Sequence, residues 1–233
     1  MSFEEDGYVI MSGWFDSTDL IDFHAAYIRT RKSRDMDHGE AYDTLWLTPE
    51  FMRLASMKKS QHMANTLLGR APSDPLYLYN SRCLIQPPND DSHCWGWHQE
   101  VFHAIPHTRM VQTYAPLIHD STLENGTIEV LPGSHNEGIA KQSWTEEGTG
   151  YALVDREVTA EYTPKALPLP LGSILFFDGR LVHRSGKNRS QANRYAAVGI
   201  FTAVDESFRA PKPDWKWRGP SPQEWLANKG ETK

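Results

Sequence analysis

A jelly roll or β-sandwich backed by helices is the fold class this sequence predicts, on three observations. Two helix-like stretches occupy the first third. Short apolar runs of strand length fill the rest, and clusters of Gly, Asn, Asp and Pro separate them. The chain has 233 residues, 39% hydrophobic and 23% charged, an ordinary globular composition. That length suits one large domain or two small ones. It is enough to remove roughly 70% of the unfolded chain's surface from water without staples.

The elements follow in order. Gly7-Tyr8-Val9-Ile10-Met11 is a short strand. A helix is expected from about Ser17 to Thr30, capped by Ser17, Thr18 or Asp19, with Leu20, Phe23, Ala26 and Tyr27 as its apolar stripe. Thr48 as cap, Pro49 at the first helical position and Glu50 in the first turn start a second helix, expected to run to about Leu68. Leu76 to Ile85 alternates as a strand. Strand-length segments then fall at 95–102, 110–118, 126–131, 171–177, 181–185 and 195–203. Glu124-Asn125-Gly126, Pro132-Gly133-Ser134, Asp178-Gly179 and Gly186-Lys187-Asn188 mark turns between them. The stretch from Asn136 to Pro170 is the least regular and reads as an insertion able to act as a lid. The tail carries Trp215, Trp217 and Trp225 among four prolines and reads as a strap docked on the body. The expected organisation is a single domain over 1–233, with a helical part at about 14–70, a β core at about 75–204 and an extended tail at 209–233.

Several function classes are disfavoured. No apolar run approaches the ~18 residues a membrane span needs. The acidic start, Met1 to Asp6, lacks the basic-then-apolar form of a secretory signal. Two cysteines give no disulfide framework, so a reducing cytoplasm is the expected location. Thirty acids against 24 bases leave a net charge of −6, which argues against nucleic acid or an anionic membrane as partner. A small-molecule substrate and a monomer or homodimer are expected. Ten histidines and eight tryptophans point toward metal chemistry.

Three clusters carry that chemistry. In Trp97-His98-Gln99-Glu100 a strand would turn His98 and Glu100 to one side. With one more ligand they would form a facial triad that leaves positions open on Fe(II). Taken alone, such a pair also occurs by chance. His183 lies in an apolar run and is the only histidine after His135. By itself it reads equally as a core histidine bonded to backbone. Arg194 opens the strand eleven residues later, and the loop between resembles that of a β-hairpin. Pairing those strands would set Arg194 beside Ser185, about 6.6 Å along the strand from His183. That is where the far carboxylate of a metal-bound five-carbon keto diacid would lie. An ordinary strand-end salt bridge is the plain alternative for Arg194. His135 is either a turn histidine or a rival ligand.

Taken together, these residues resemble the phytanoyl-CoA dioxygenase family of iron(II)- and 2-oxoglutarate-dependent oxygenases. The likeness is carried by Phe3 to Ile10, Trp97-His98-Gln99-Glu100, Glu124-Asn125-Gly126 through Leu131-Pro132-Gly133-Ser134-His135, and His183 to Asn188 followed by Arg194. The resemblance implies a mainly β fold, a double-stranded β-helix of jelly-roll or cupin-like form, with the N-terminal helices packed on one sheet. It implies His98, Glu100 and His183 as iron ligands and Arg194 as partner of the 2-oxoglutarate C5 carboxylate, assisted by Ser185. It places Gln99 and Tyr114 among further cosubstrate contacts. The cofactors so implied are Fe(II), 2-oxoglutarate as cosubstrate and O2. The reaction so implied is hydroxylation of an unactivated C–H, with release of succinate and CO2. Glu100 departs from the Asp usual in the family and adds one methylene between backbone and metal. A carboxylate there argues against halogenase chemistry. A non-catalytic metal- or ligand-binding protein on the same fold is the alternative from another class.

Overall fold

The computed structural model describes residues 2–33, 48–89, 94–100, 109–144 and 152–203. The tail tryptophans, His103, His107 and the acidic pair Glu146-Glu147 lie outside these, as does all but Ser33 of the polar stretch 33–44.

A single helical turn, α1 (Phe3–Asp6), is closed by Gly7 at φ 83° and leads into β1 (Tyr8–Met11). Helix α2 (Ser17–Ser33) starts where the sequence suggests, but Asp16 supplies the cap: its Oδ1 accepts from the Asp19 amide at 2.9 Å. The second expected helix is divided into α3 (Pro49–Ala55) and α4 (Lys58–Leu67). The Ser56 hydroxyl donates to the Met52 carbonyl at 2.6 Å, and Met57 turns extended at ψ 130°. A serine that bonds back to the preceding turn competes with helix continuation, which is why the run breaks there.

Among the described residues, eight strands build two sheets and two more pair within the insertion. Strands β2 (Leu76–Gln86), β3 (Met110–Leu117), β8 (Ile174–Asp178) and β10 (Arg194–Ala203) join β1 in an antiparallel sheet of order β1-β8-β3-β10-β2. Strands β4 (Ile128–Val130), β7 (Lys165–Ala166) and β9 (His183–Ser185) form a second sheet, β7-β4-β9. Period-2 alternation divides each long strand between two environments. On β8, Ile174 and Phe176 join Phe23, Tyr27, Phe51 and Leu54 in the layer between helices and sheet. Leu175 and Phe177 join Ile128, Val130 and Val198 between the two sheets. Each fully buried side chain of this kind stabilises by about 1.5–3 kcal/mol. Cys83 sits in the helix-side layer, where burial pushes its thiol up to about 12 and keeps it protonated.

Two expectations are corrected. The described part of the expected strand at 95–102, residues 95–100, does not form one: His98 makes an isolated bridge to His183, and residues 101–108 lie outside those described. The strands of His183 and Arg194 are not a hairpin either, because β9 pairs with β4, and β10 with β2 and β3. The segment between crosses from one sheet to the other. Asn188 pins it, donating through Nδ2 to the carbonyls of Gln86 (2.9 Å) and Ala192 (2.8 Å). The insertion holds β5 (Gln142–Trp144), β6 (Ala152–Val154) and the short helix α5 (Arg156–Thr159). The Val154 amide donates to the Trp97 carbonyl at 2.8 Å, so this unit packs against the segment carrying His98.

Candidate metal centre and cosubstrate cavity

Between the two sheets lies a cavity of about 400 Å³. Strand alternation sets its polar lining. Arg82, Leu84 and Gln86 face it from β2, Gln112 and Tyr114 from β3, and Arg194 and Val198 from β10. Register joins these positions across the sheet: Arg194 is opposite Gln86, and Val198 lies between Arg82 and Tyr114.

At one wall His98, Glu100 and His183 converge. All three are buried, and each offers a ligand atom within 4.8 Å of the others. His98 and His183 exchange backbone hydrogen bonds in both directions at 3.0 Å, and their rings stand 4.2 Å apart. The His98 Nδ1 lies 2.8 Å from the Gly96 carbonyl, and the His183 Nδ1 lies 2.9 Å from the Leu181 carbonyl. A carbonyl only accepts, so each Nδ1 carries the proton and each Nε2 carries the lone pair that a metal would take. Burial holds the His98 imidazole below its usual 6.5, against the pull of the Glu100 carboxylate, and so favours the neutral form that binds metals. Two neutral imidazoles and one carboxylate, converging without a fourth ligand among the described residues, form a donor set suited to a divalent iron with open positions. Glu100 is steadied by Arg82, whose Nη2 lies 3.5 Å from Oε1 and whose guanidinium stands over the Trp95 ring at 5.2 Å.

At the other end is Arg194, only 3% exposed. Its Nη1 donates to the Tyr114 hydroxyl at 3.0 Å and to the Gly126 carbonyl, and its Nη2 donates to Gln86 Oε1 at 2.5 Å. Among the described residues its Nε has no partner, and no carboxylate pairs with this cation. A buried guanidinium ringed by neutral acceptors is costly unless an anion completes it. Tyr114 and Ser185 share the cavity with it. The Asn125-Gly126 turn has a local cause: Asn125 Oδ1 accepts from the Thr122 amide at 2.7 Å, and Gly126 takes φ 80°. A Cβ on Gly126 would stand 2.5 Å from the Gly186 carbonyl, so the two glycines let these loops meet beneath Arg194.

Gln99 is placed elsewhere than the sequence suggests. Its Nε2 donates to the carbonyls of Gly138 (2.9 Å) and Arg180 (2.5 Å), and its Oε1 accepts from the Ala140 amide (2.9 Å) and from Gln142 (3.2 Å). With every carboxamide bond used, it anchors the insertion and does not line the cavity. His135 lies away from the cluster, its Nε2 bonded to the Glu4 carbonyl at 3.1 Å. Arg82, Gln86 and Gln112 are cavity residues that the motifs do not mark. Their signal is polar side chains at alternate positions on the inward face of otherwise apolar strands.

The sequence signature of the phytanoyl-CoA dioxygenase (PhyH) family matches residues 3–196. The chain belongs to the phytanoyl-CoA dioxygenase family. Members of this family are Fe(II)- and 2-oxoglutarate-dependent oxygenases that use O2, and the donor set and cavity described above fit those cofactors. Ectoine dioxygenase of Stutzerimonas stutzeri (strain A1501) is 23% identical over 239 residues, covering 90% of this chain and 77% of that protein. EctD from S. alaskensis, crystallised with 2-oxoglutarate and 5-hydroxyectoine, has a TM-score of 0.67 at 21% identity, over 94% of this chain and 83% of that one. The epimerase SnoN, in complex with Fe3+, alpha ketoglutarate and nogalamycin RO, has a TM-score of 0.69 at 20% identity, over 94% of this chain and 90% of that one. At such identities the likeness establishes the fold, the cupin-like double-stranded β-helix with helices against one sheet.

Proposed function

We propose that this chain hydroxylates an unactivated C–H bond of a small molecule, with release of succinate and CO2. In this reading His98, Glu100 and His183 hold Fe(II), and Arg194 receives the C5 carboxylate of 2-oxoglutarate. Tyr114 and Ser185 complete that end of the cosubstrate site. The observation that carries the reading is the buried Arg194, with no carboxylate partner among the described residues, in the same cavity as a three-ligand cluster. A dianion bridging the two would neutralise one and complete the other.

Bound iron supplies the redox chemistry that couples decarboxylation of 2-oxoglutarate to oxidation of the substrate. The protein's own contribution is positioning and exclusion of water. Backbone carbonyls fix both imidazole tautomers. The Arg194 fork gives a charge-assisted, directional contact to the cosubstrate. Phe177 and Trp95, each in edge contact with a histidine ring of the cluster, form apolar walls beside it. SnoN is named an epimerase, so the fold accommodates outcomes other than hydroxylation.

Anaerobic addition of Fe(II) and then 2-oxoglutarate tests the centre. A visible charge-transfer band that needs both, and that Arg194→Ala weakens, is expected. Oxygen uptake matched by succinate and by a hydroxylated product completes the assignment. Absence of the band in the wild-type protein would overturn it.

A further inference from the structure

One cavity residue has no role in holding metal or cosubstrate. Gln112 projects inward from β3 and is 2% exposed, yet its Nε2 has no hydrogen-bond partner among the described residues. Its cross-strand neighbours are Phe177 and Ile200, both apolar. Ile200 belongs with Met110 and Ile139 to a small apolar cluster at that end of the strands. Buried amides are nearly always bonded, so one left open in a cavity needs an explanation.

Its position shows which molecule could satisfy it. Gln112 is opposite Ile200, six residues along β10 from Arg194, or about 20 Å at the usual strand rise. Phe177, the neighbour of Gln112 on β8, touches the ring of His183, with centroids 4.8 Å apart. Gln112 therefore lies at the metal end, on the side away from Arg194. A cosubstrate stretched from the cluster to Arg194 runs in the opposite direction.

We propose that Gln112 reads the substrate: its carboxamide donates to a carbonyl or carboxylate oxygen of a compact molecule whose apolar flank packs on Phe177 and Ile200. This rests on the iron and 2-oxoglutarate reading above. An oxygen acceptor at that point satisfies the orphaned amide, whereas a plain hydrocarbon chain leaves it unpaired. Sites that bond a polar group discriminate strongly against analogues lacking it.

The test uses full-length protein loaded with Mn(II) and 2-oxoglutarate, in wild-type form and as Gln112→Met, with Gln112→Leu as second variant. Melting temperature is measured first, with and without the two additions. Binding of 2-pyrrolidinone and of cyclopentane is then measured by saturation-transfer NMR. The melting shift should be the same in all three proteins. 2-Pyrrolidinone should bind the wild type and bind the variants about tenfold more weakly, while cyclopentane binds the variants at least as well. Equal binding of 2-pyrrolidinone to wild type and variants, or none to the wild type, overturns the proposal while leaving the cofactor reading intact. A melting shift lost only in the variants also overturns it, since Gln112 would then belong to the cosubstrate site. No shift in the wild type overturns the cofactor reading, and this proposal with it.

Discussion

His98 and His183 hold one another through their backbones, each amide donating to the other's carbonyl at 3.0 Å, across 85 residues of sequence. The bridge uses main-chain atoms only, so the imidazoles can be removed without breaking it. His98→Ala and His183→Ala are expected to fold. Their melting temperatures in metal-free buffer should stay within a few degrees of wild type, while the shift on adding Mn(II) and 2-oxoglutarate disappears. Full turnover by His183→Ala would show the metal centre to be wrongly assigned.

Arg82 beside Glu100 gives a prediction whose sign separates two explanations. If Arg82 acted only as a nearby positive charge, removing it should tighten binding of a divalent cation. If it steadies the glutamate carboxylate, removing it should weaken binding. Arg82→Gln is expected to weaken Mn(II) about tenfold, the lower end of losses seen when groups supporting a metal ligand are removed. Isothermal titration of the apoprotein measures it.

Arg194 represents a compromise between stability and binding. Its buried charge has only neutral partners among the described residues until an anion arrives. Arg194→Met should therefore leave the apoprotein at least as stable as wild type. It should also raise the 2-oxoglutarate requirement about 10- to 100-fold, the equivalent of losing a hydrogen bond to a charged group. Thermal melts with and without 2-oxoglutarate report both effects.

Gly126→Ala should damage fold and site together. At φ 80°, with Gly186 in its path, an added Cβ is expected to cost about 1–3 kcal/mol in urea unfolding. Because the Gly126 carbonyl accepts from Arg194, 2-oxoglutarate binding should fall as well.

His135 gives a pH signature. Burial, against the pull of Asp178, lowers its imidazole from the usual 6.5, so the folded state keeps it neutral. Below about 6.5 the unfolded chain takes up a proton that the folded chain refuses, so stability falls as pH drops through that window. It stops falling once pH is under the lowered folded value. His135→Gln lacks this effect and can keep the bond to Glu4. The stability gap between wild type and variant should therefore narrow between pH 7.5 and pH 5.5, as measured by urea unfolding.

Strands such as β8 were legible as short apolar runs bounded by turn residues. Ile174 to Phe177 is apolar throughout because Ile174 and Phe176 are buried on one face and Leu175 and Phe177 on the other. The turn at Asn125-Gly126 was legible because few residue pairs take that backbone. The connectivity of β9 and β10 was not. A loop with Gly186 and Asn188 suits a hairpin locally, and only the distant partners of those residues, Thr127 and Gln86, send the chain across to the other sheet. Gln99 was misplaced for a similar reason. It is adjacent to a candidate ligand, but its four bonds go to Gly138, Ala140, Gln142 and Arg180, residues whose approach no local pattern announces. Arg82 and Gln112 lie in strands with no motif around them, so only the inward face of the sheet identifies them.

The crossing segment has a thermodynamic consequence. His183 and Arg194 are eleven residues apart on one continuous stretch, pinned at its middle by Asn188. Whatever fixes one end restricts the conformations open to the other, so part of the ordering cost is met once for both. Metal and 2-oxoglutarate should then bind cooperatively, and linkage requires each to strengthen the other by the same factor. Asn188→Ala, which touches neither, should shrink that shared factor before it reduces either affinity alone.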